Sequence, residues 1–130
     1  LSKPGMIEGM GPLLTQLINA VHGLVKEFRP HVIASTYPVF GYILAKVKKL
    51  DPAVEAPFFT IITDSTIINS AWYRYPSDGS IVADDPTAAV LINDGVKKDQ
   101  VHTLGFPVGI EFEDFIPAPP PHDGIWKLLF

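Results

Sequence analysis

The fold is decided between residues 32 and 63. The segment Val32-Ile33-Ala34-Ser35 is followed by residues 38–49 (PVFGYILAKVKK) and then by Phe58-Phe59-Thr60-Ile61-Ile62-Thr63. The first and last pieces are short, rich in β-formers and apolar on both faces, as a strand inside a parallel sheet must be when both its faces are covered. Between them Phe40, Ile43, Leu44 and Val47 recur at helical spacing, and Lys46, Lys48 and Lys49 gather toward the C-terminal end. Positive charge there meets the negative end of the helix dipole. Asp51-Pro52 closes the helix. Strand, helix and strand in this order predict a right-handed crossover between parallel neighbours.

Working outward, the pattern continues on both sides. Upstream, from Pro12 to Phe28, the residues Leu13, Leu14, Leu17, Ile18, Val21, Leu24, Val25 and Phe28 form one apolar stripe and predict a helix that buries it. Arg29-Pro30 ends this helix, because proline disfavours helical geometry in the residue before it. Downstream, Ile81-Val82-Ala83 reads as a third strand and residues 101–104 as a fourth. Between these two, Asp85 is the expected cap of a helix, Pro86 suits its first turn, Ala88, Ala89, Leu91 and Ile92 fill it, and Gly95 takes the left-handed position after it. The fold class is therefore α/β, a Rossmann-like parallel sheet with flanking helices and strands in chain order.

Composition narrows the function classes. At 130 residues the chain has the length of one domain. With 47% apolar and 18% charged residues it is too greasy for the disordered class. A net charge of −4 argues against a nucleic-acid partner, since phosphate binding needs an excess of lysine and arginine. The absence of cysteine excludes disulfides and thiolate metal sites, and the histidines His22, His31, His102 and His122 lack ligand spacing, so neither metal nor cofactor is expected. No apolar run approaches the roughly 20 residues of a spanning helix, and no basic-then-apolar leader opens the chain. Contact with a membrane would be lateral. Both ends read as internal to a longer protein: residues 117–121 (PAPPP) are a stiff spacer, and Trp126-Lys127-Leu128-Leu129-Phe130 begins a strand. The expected division is a partial domain at residues 1–116, followed by a linker and the first strand of a second domain at residues 117–130.

Four ordered stretches carry a family resemblance: residues 32–41 (VIASTYPVFG); Ile62-Thr63-Asp64-Ser65-Thr66; Asn69-Ser70-Ala71-Trp72-Tyr73; and residues 84–91 (DDPTAAVL) leading to Gly105-Phe106-Pro107-Val108. Together they resemble the N-terminal domain of monogalactosyldiacylglycerol synthases and processive diacylglycerol glucosyltransferases, which are similar in turn to the peptidoglycan glycosyltransferase that makes lipid II. The resemblance implies a two-domain GT-B glycosyltransferase. Its N-terminal half receives a diacylglycerol-like lipid acceptor and its C-terminal half binds a UDP-sugar, at the cytoplasmic face of a membrane to which the enzyme attaches peripherally. It also implies that a glycine-rich loop bearing a candidate catalytic histidine precedes Leu1, and that the donor site follows Phe130. The strands present would be the central fourth and its successors.

Ligands of open α/β sheets bind beyond the carboxyl ends of the strands near the topological switch point. That rule, applied to this resemblance, puts Ser35, Thr36, Tyr37, Pro38, Thr63, Asp64, Ser65, Asp84, Gly105, Phe106 and Pro107 on one rim. Asp64 is the candidate catalytic carboxylate, able to accept an acceptor proton or to orient another base; equally, it can bond amides of its own turn with Ser65 and Thr66. Trp72, Tyr73 and Arg74 are candidates for contact with a glycerolipid or anionic headgroup, or else aromatics folded over the core. Ser35, Thr36, Tyr37 and Pro38 place hydroxyls at a helix start, where they bind a polar headgroup or merely cap. Met6, Ile7, Met10, Leu13 and Leu14 are candidates for a membrane-facing lip, the two leucines being read first as core. The favoured function is hexosyl transfer to a lipid hydroxyl in the full-length enzyme. The rival is a free-standing flavodoxin-like binding module without catalysis, which no phosphate-cradling glycine pattern supports.

Overall fold

The computed structural model describes residues 11–64 and 68–110. Within them lie three helices, α1 (Gly11–Phe28), α2 (Val39–Leu50) and α3 (Asp85–Asn93), and four strands, β1 (Ile33–Ser35), β2 (Phe58–Ile61), β3 (Gly79–Val82) and β4 (Val101–Thr103). The strands make one sheet in the order β1-β2-β3-β4, every pair parallel. Register runs Ile33 to Phe58, Thr60 to Ser80 and Ile81 to His102. The α/β architecture read from the alternation is present in full. The expected linker at residues 117–121, the strand at 126–130 and the apolar residues Met6, Ile7 and Met10 lie outside the described residues.

Burial follows position in the sheet. Phe58, Thr60, Gly79, Ser80 and Val82 of the two central strands are buried, whereas β1 and β4 are largely open. Gly79 has a steric reason: a Cβ there would come within 2.8 Å of the Phe59 ring on the neighbouring strand. Asp78 ties the start of β3 to β2, accepting the Phe58 N–H at 2.7 Å and donating its own N–H to the Phe58 carbonyl at 2.8 Å.

Two apolar cores result. Ile43, Val47 and Val54 pack with Leu17, Ile18, Val21 and Val25 where α1 crosses α2. Ile62, Trp72, Val82, Ala88 and Leu91 pack on the α3 side.

Four local expectations are corrected. The cap of α3 is Asp84, not Asp85: Asp84 has extended geometry and accepts the Thr87 N–H, so Asp85 is already the first helical residue. The third strand starts at Gly79, two residues before its first branched side chain, because backbone pairing does not need one. Arg29 ends α1 with φ at +50°, left-handed rather than extended, its N–H closing on the Val25 carbonyl at 2.9 Å. The α1 stripe is not buried as a whole. Leu14 is, but Leu24 is 63% and Phe28 76% exposed, since α1 rests on α2 and leaves its far flank uncovered.

Candidate functional site

In a parallel sheet every strand delivers its following loop to the same edge. That edge collects residues 36–38 after β1, residues 62–64 after β2, Ala83 and Asp84 after β3, and residues 104–107 after β4. Ser35, Thr36, Tyr37, Pro38, Thr63, Asp64, Asp84, Phe106 and Pro107 thus share one rim. Ser65 lies outside the described residues.

Each rim residue is set by local chemistry. The Ser35 hydroxyl accepts the Tyr37 N–H at 3.1 Å and donates to the Tyr37 carbonyl at 3.2 Å, closing a tight turn. It does not cap α2: the cap position is Pro38 and no side chain fills it. Gly105, at φ +83°, turns the chain out of β4 and leaves Phe106 exposed. Thr63 and Asp64 are exposed where the chain leaves the sheet. Beside Ser35, Thr36 and Tyr37 opens a groove of about 610 Å³ whose walls are apolar, among them Val21, Leu24, Phe28, Val32 and Phe40. The charged side chains on the described loops of this edge, Asp64 and Asp84, are both acidic, and Asp85 opens α3 beside them.

Asp64 is held. The Trp72 indole N–H donates to its Oδ2 at 2.6 Å. Trp72 itself is only 5% exposed, its ring packed among Ile62, Val82, Ala88 and Leu91. It sits in a 3₁₀ turn, Ser70–Trp72, that occupies the crossover from β2 to β3, and the Asn69 side chain caps that turn by accepting the Ala71 N–H at 3.0 Å. Asn69, which the sequence offered only as part of a family stretch, shapes this turn as its cap; an asparagine one residue ahead of a short turn is the signal for that role.

Tyr73 and Arg74 go elsewhere. The Tyr73 hydroxyl donates to Asp94 Oδ2 at 2.6 Å, and Asp94 follows the C-terminus of α3, at the opposite edge of the sheet. Burial first, and the Asp94 acceptor second, push the Tyr73 phenol up to about 12. Arg74 donates to Ser70 Oγ at 3.0 Å. Both line a cavity of about 350 Å³ of mixed polar and apolar lining with Ser77, Lys97 and Gln100, near the starts of β3 and β4. Trp72 is the member of the aromatic group that reaches the rim, through its N–H.

With this geometry the comparisons with known proteins can be placed. The profile of monogalactosyldiacylglycerol (MGDG) synthase matches residues 12–108, which take in α1 from its second residue, α2, α3 and all four strands. The chain belongs to the MGDG synthase family. Among relatives, the processive diacylglycerol beta-glucosyltransferase of Bacillus cereus (strain 03BB102) is 26% identical over 90 residues, which is 69% of this chain and 22% of the relative. Its counterparts in Bacillus thuringiensis (strain Al Hakam) and Bacillus anthracis (strain A0248) are 24% identical over the same length and shares. The chain spans about a fifth of the length of these relatives. No solved structure matches it significantly. The match to the MGDG synthase family covers the rim loops and the Asp64–Trp72 pair, and both the family and the relatives' names agree with the resemblance carried by those motifs.

Proposed function

We propose that the full-length protein transfers a hexosyl group from a UDP-sugar to the free hydroxyl of diacylglycerol or a related glycolipid, and that this chain supplies the acceptor side. The observation that carries this reading is the exposed Asp64 carboxylate at the C-terminal edge of the central strands, on the same rim as the Ser35, Thr36 and Tyr37 turn. The attacking hydroxyl must lose a proton as it meets the anomeric carbon, and a carboxylate on this rim accepts that proton or orients the base that does. The rim's charge supports an acceptor role rather than a donor one. A departing nucleotide diphosphate needs cations or aligned amide dipoles, and the described loops here contribute only acidic side chains. We assign the donor half to a second domain, for which the proline-rich residues 117–121 would be the linker.

Ser35, Thr36, Tyr37, Pro38, Thr63, Ser65, Phe106 and Pro107 form the proposed acceptor surface, with Trp72 behind Asp64. Tyr73 and Arg74, at the other edge, stand outside it. A lipid acceptor implies work at a membrane surface, on its cytoplasmic side, by peripheral attachment. Among the described residues no helix is long and apolar enough to cross a membrane. Membership of the MGDG synthase family favours this reading over a free-standing flavodoxin-like module.

The test is hexose transfer from labelled UDP-galactose or UDP-glucose to diacylglycerol in vesicles by the full-length protein. Asp64→Asn is expected to lower the rate at least about tenfold. A variant as fast as the wild type removes Asp64 from the chemistry, and a wild type that glycosylates no lipid acceptor removes the reading.

A further inference from the structure

Asp64 is an exposed side chain on a loop, and a carboxylate so placed has two oxygens and free rotation between them. Here one oxygen is fixed. The indole N–H donates to Oδ2 at 2.6 Å, at the short end for a nitrogen donor. The donor cannot move with its partner. Its ring is wedged among Ile62, Val82, Ala88 and Leu91, and its backbone is locked in a 3₁₀ turn by the Asn69 cap, with the Trp72 N–H closing on the Asn69 carbonyl at 3.0 Å. Ile62 links the two ends of this arrangement. It belongs to the same apolar core as the Trp72 ring and donates its N–H to the Ile81 carbonyl at 2.8 Å, so the backbone two residues before Asp64 is pinned to β3.

From this arrangement we propose that Trp72 is a positioning residue for the transfer reaction: its buried indole N–H fixes the Asp64 carboxylate in one orientation toward the acceptor hydroxyl. The inference rests on the role given to Asp64 above and adds to it. A rigid element of the core thereby sets the aim of a surface carboxylate, and catalysis gains because a group held in place avoids reorienting as the barrier is crossed. The competing explanation is that Asp64 merely satisfies a buried indole, as buried tryptophans generally require. The two differ in what happens to turnover when the N–H is removed but the ring is kept.

The experiment is a double-variant cycle on the full-length protein, with kcat and KM measured for both substrates. Trp72→Phe keeps an aromatic ring in the core and deletes the donor. It is expected to lower kcat about ten- to a hundredfold while KM for the UDP-sugar stays unchanged. Combined with Asp64→Asn it should add no further loss, because both changes act on one device. A Trp72→Phe enzyme within about twofold of wild-type kcat, or losses that multiply in the double variant, would overturn the positioning role. The outcomes stay distinguishable. Impaired Asp64→Asn with normal Trp72→Phe removes the positioning role alone, whereas normal Asp64→Asn removes the chemistry of Asp64 and the positioning role with it. A measurement that leaves the core intact guards against misfolding of the Phe variant: in Asp64→Ala the Trp72 indole N–H proton resonance is expected to move upfield from its wild-type position, and an unmoved resonance rejects the hydrogen bond and the proposal.

Discussion

The Asp84 carboxylate accepts the Thr87 N–H at 2.8 Å, satisfying one of the donors that every helix N-terminus leaves open. Its neighbour Asp85 is inside the helix and can help only through its charge on the first turn. The two acids should therefore behave differently although they are adjacent and alike. Asp84→Ala is expected to cost about 1 kcal/mol of unfolding free energy, and Asp85→Ala less, as read from urea midpoints at unchanged slope. Equal losses would mean that charge rather than the hydrogen bond matters at this helix start. The site depends on this cap indirectly, because α3 contributes Ala88 and Leu91 to the packing around the Trp72 ring.

At the scale of elements, the contact between α1 and α2 carries both an apolar seam and a polar clasp. His22 Nε2–H donates to Asp51 Oδ2 at 2.8 Å, and Lys26 Nζ stands 3.8 Å from the same oxygen. Asp51 also accepts the Ala53 N–H, which shapes the turn after α2. The His22 hydrogen bond first, then the Ala53 N–H, hold the Asp51 carboxyl below its ordinary value of 3.8; partial burial opposes them and the Lys26 and His22 charges assist. A depressed folded-state value means the unfolded chain takes up the proton first as pH falls. The clasp therefore contributes above the ordinary carboxylate range and is lost as pH drops through the lowered value. Melting temperature is expected to decline on acidification below about pH 4, and Asp51→Asn to start lower and show a flatter dependence over that window. A parallel pair of curves would show that the clasp contributes nothing.

At the scale of the whole molecule, the two edges of the sheet differ: a rim of acidic residues and hydroxyls lies at one, and a cavity of mixed lining with Arg74 and Lys97 at the other. On the reading proposed above the rim receives the acceptor hydroxyl, while its described loops offer no cationic side chain to a leaving diphosphate. The 130-residue chain alone is therefore expected to transfer no hexose from UDP-galactose or UDP-glucose to diacylglycerol under conditions in which the full-length protein does. Turnover by the purified short chain would show that donor binding and base lie within it.

The sequence by itself determined the class, the parallel order and the edge that gathers the loops after the strands. Each of these follows from local pattern. Branched apolar runs such as residues 58–63 make strands, although here only 58–61 pair, the Phe40, Ile43, Leu44 and Val47 spacing makes the helix before them, and a right-handed crossover then puts every loop after a strand on one side. Asp64 was legible as a candidate for the same reason, being the first charge after a buried run. What only the tertiary structure decided depends on where distant faces meet. The eight apolar residues of α1 look alike in sequence, yet only the flank resting on α2 is covered, because helix packing fills one groove and leaves the other flank open. Trp72, Tyr73 and Arg74 are consecutive, yet the 3₁₀ turn ends there. The indole N–H reaches Asp64 while the phenol reaches Asp94 at the far edge. Periodicity predicts which residues share an element; the direction of a side chain on a short irregular turn is fixed by the core it packs into, and that core is assembled from residues 62, 82, 88 and 91, which no local pattern joins to residue 72.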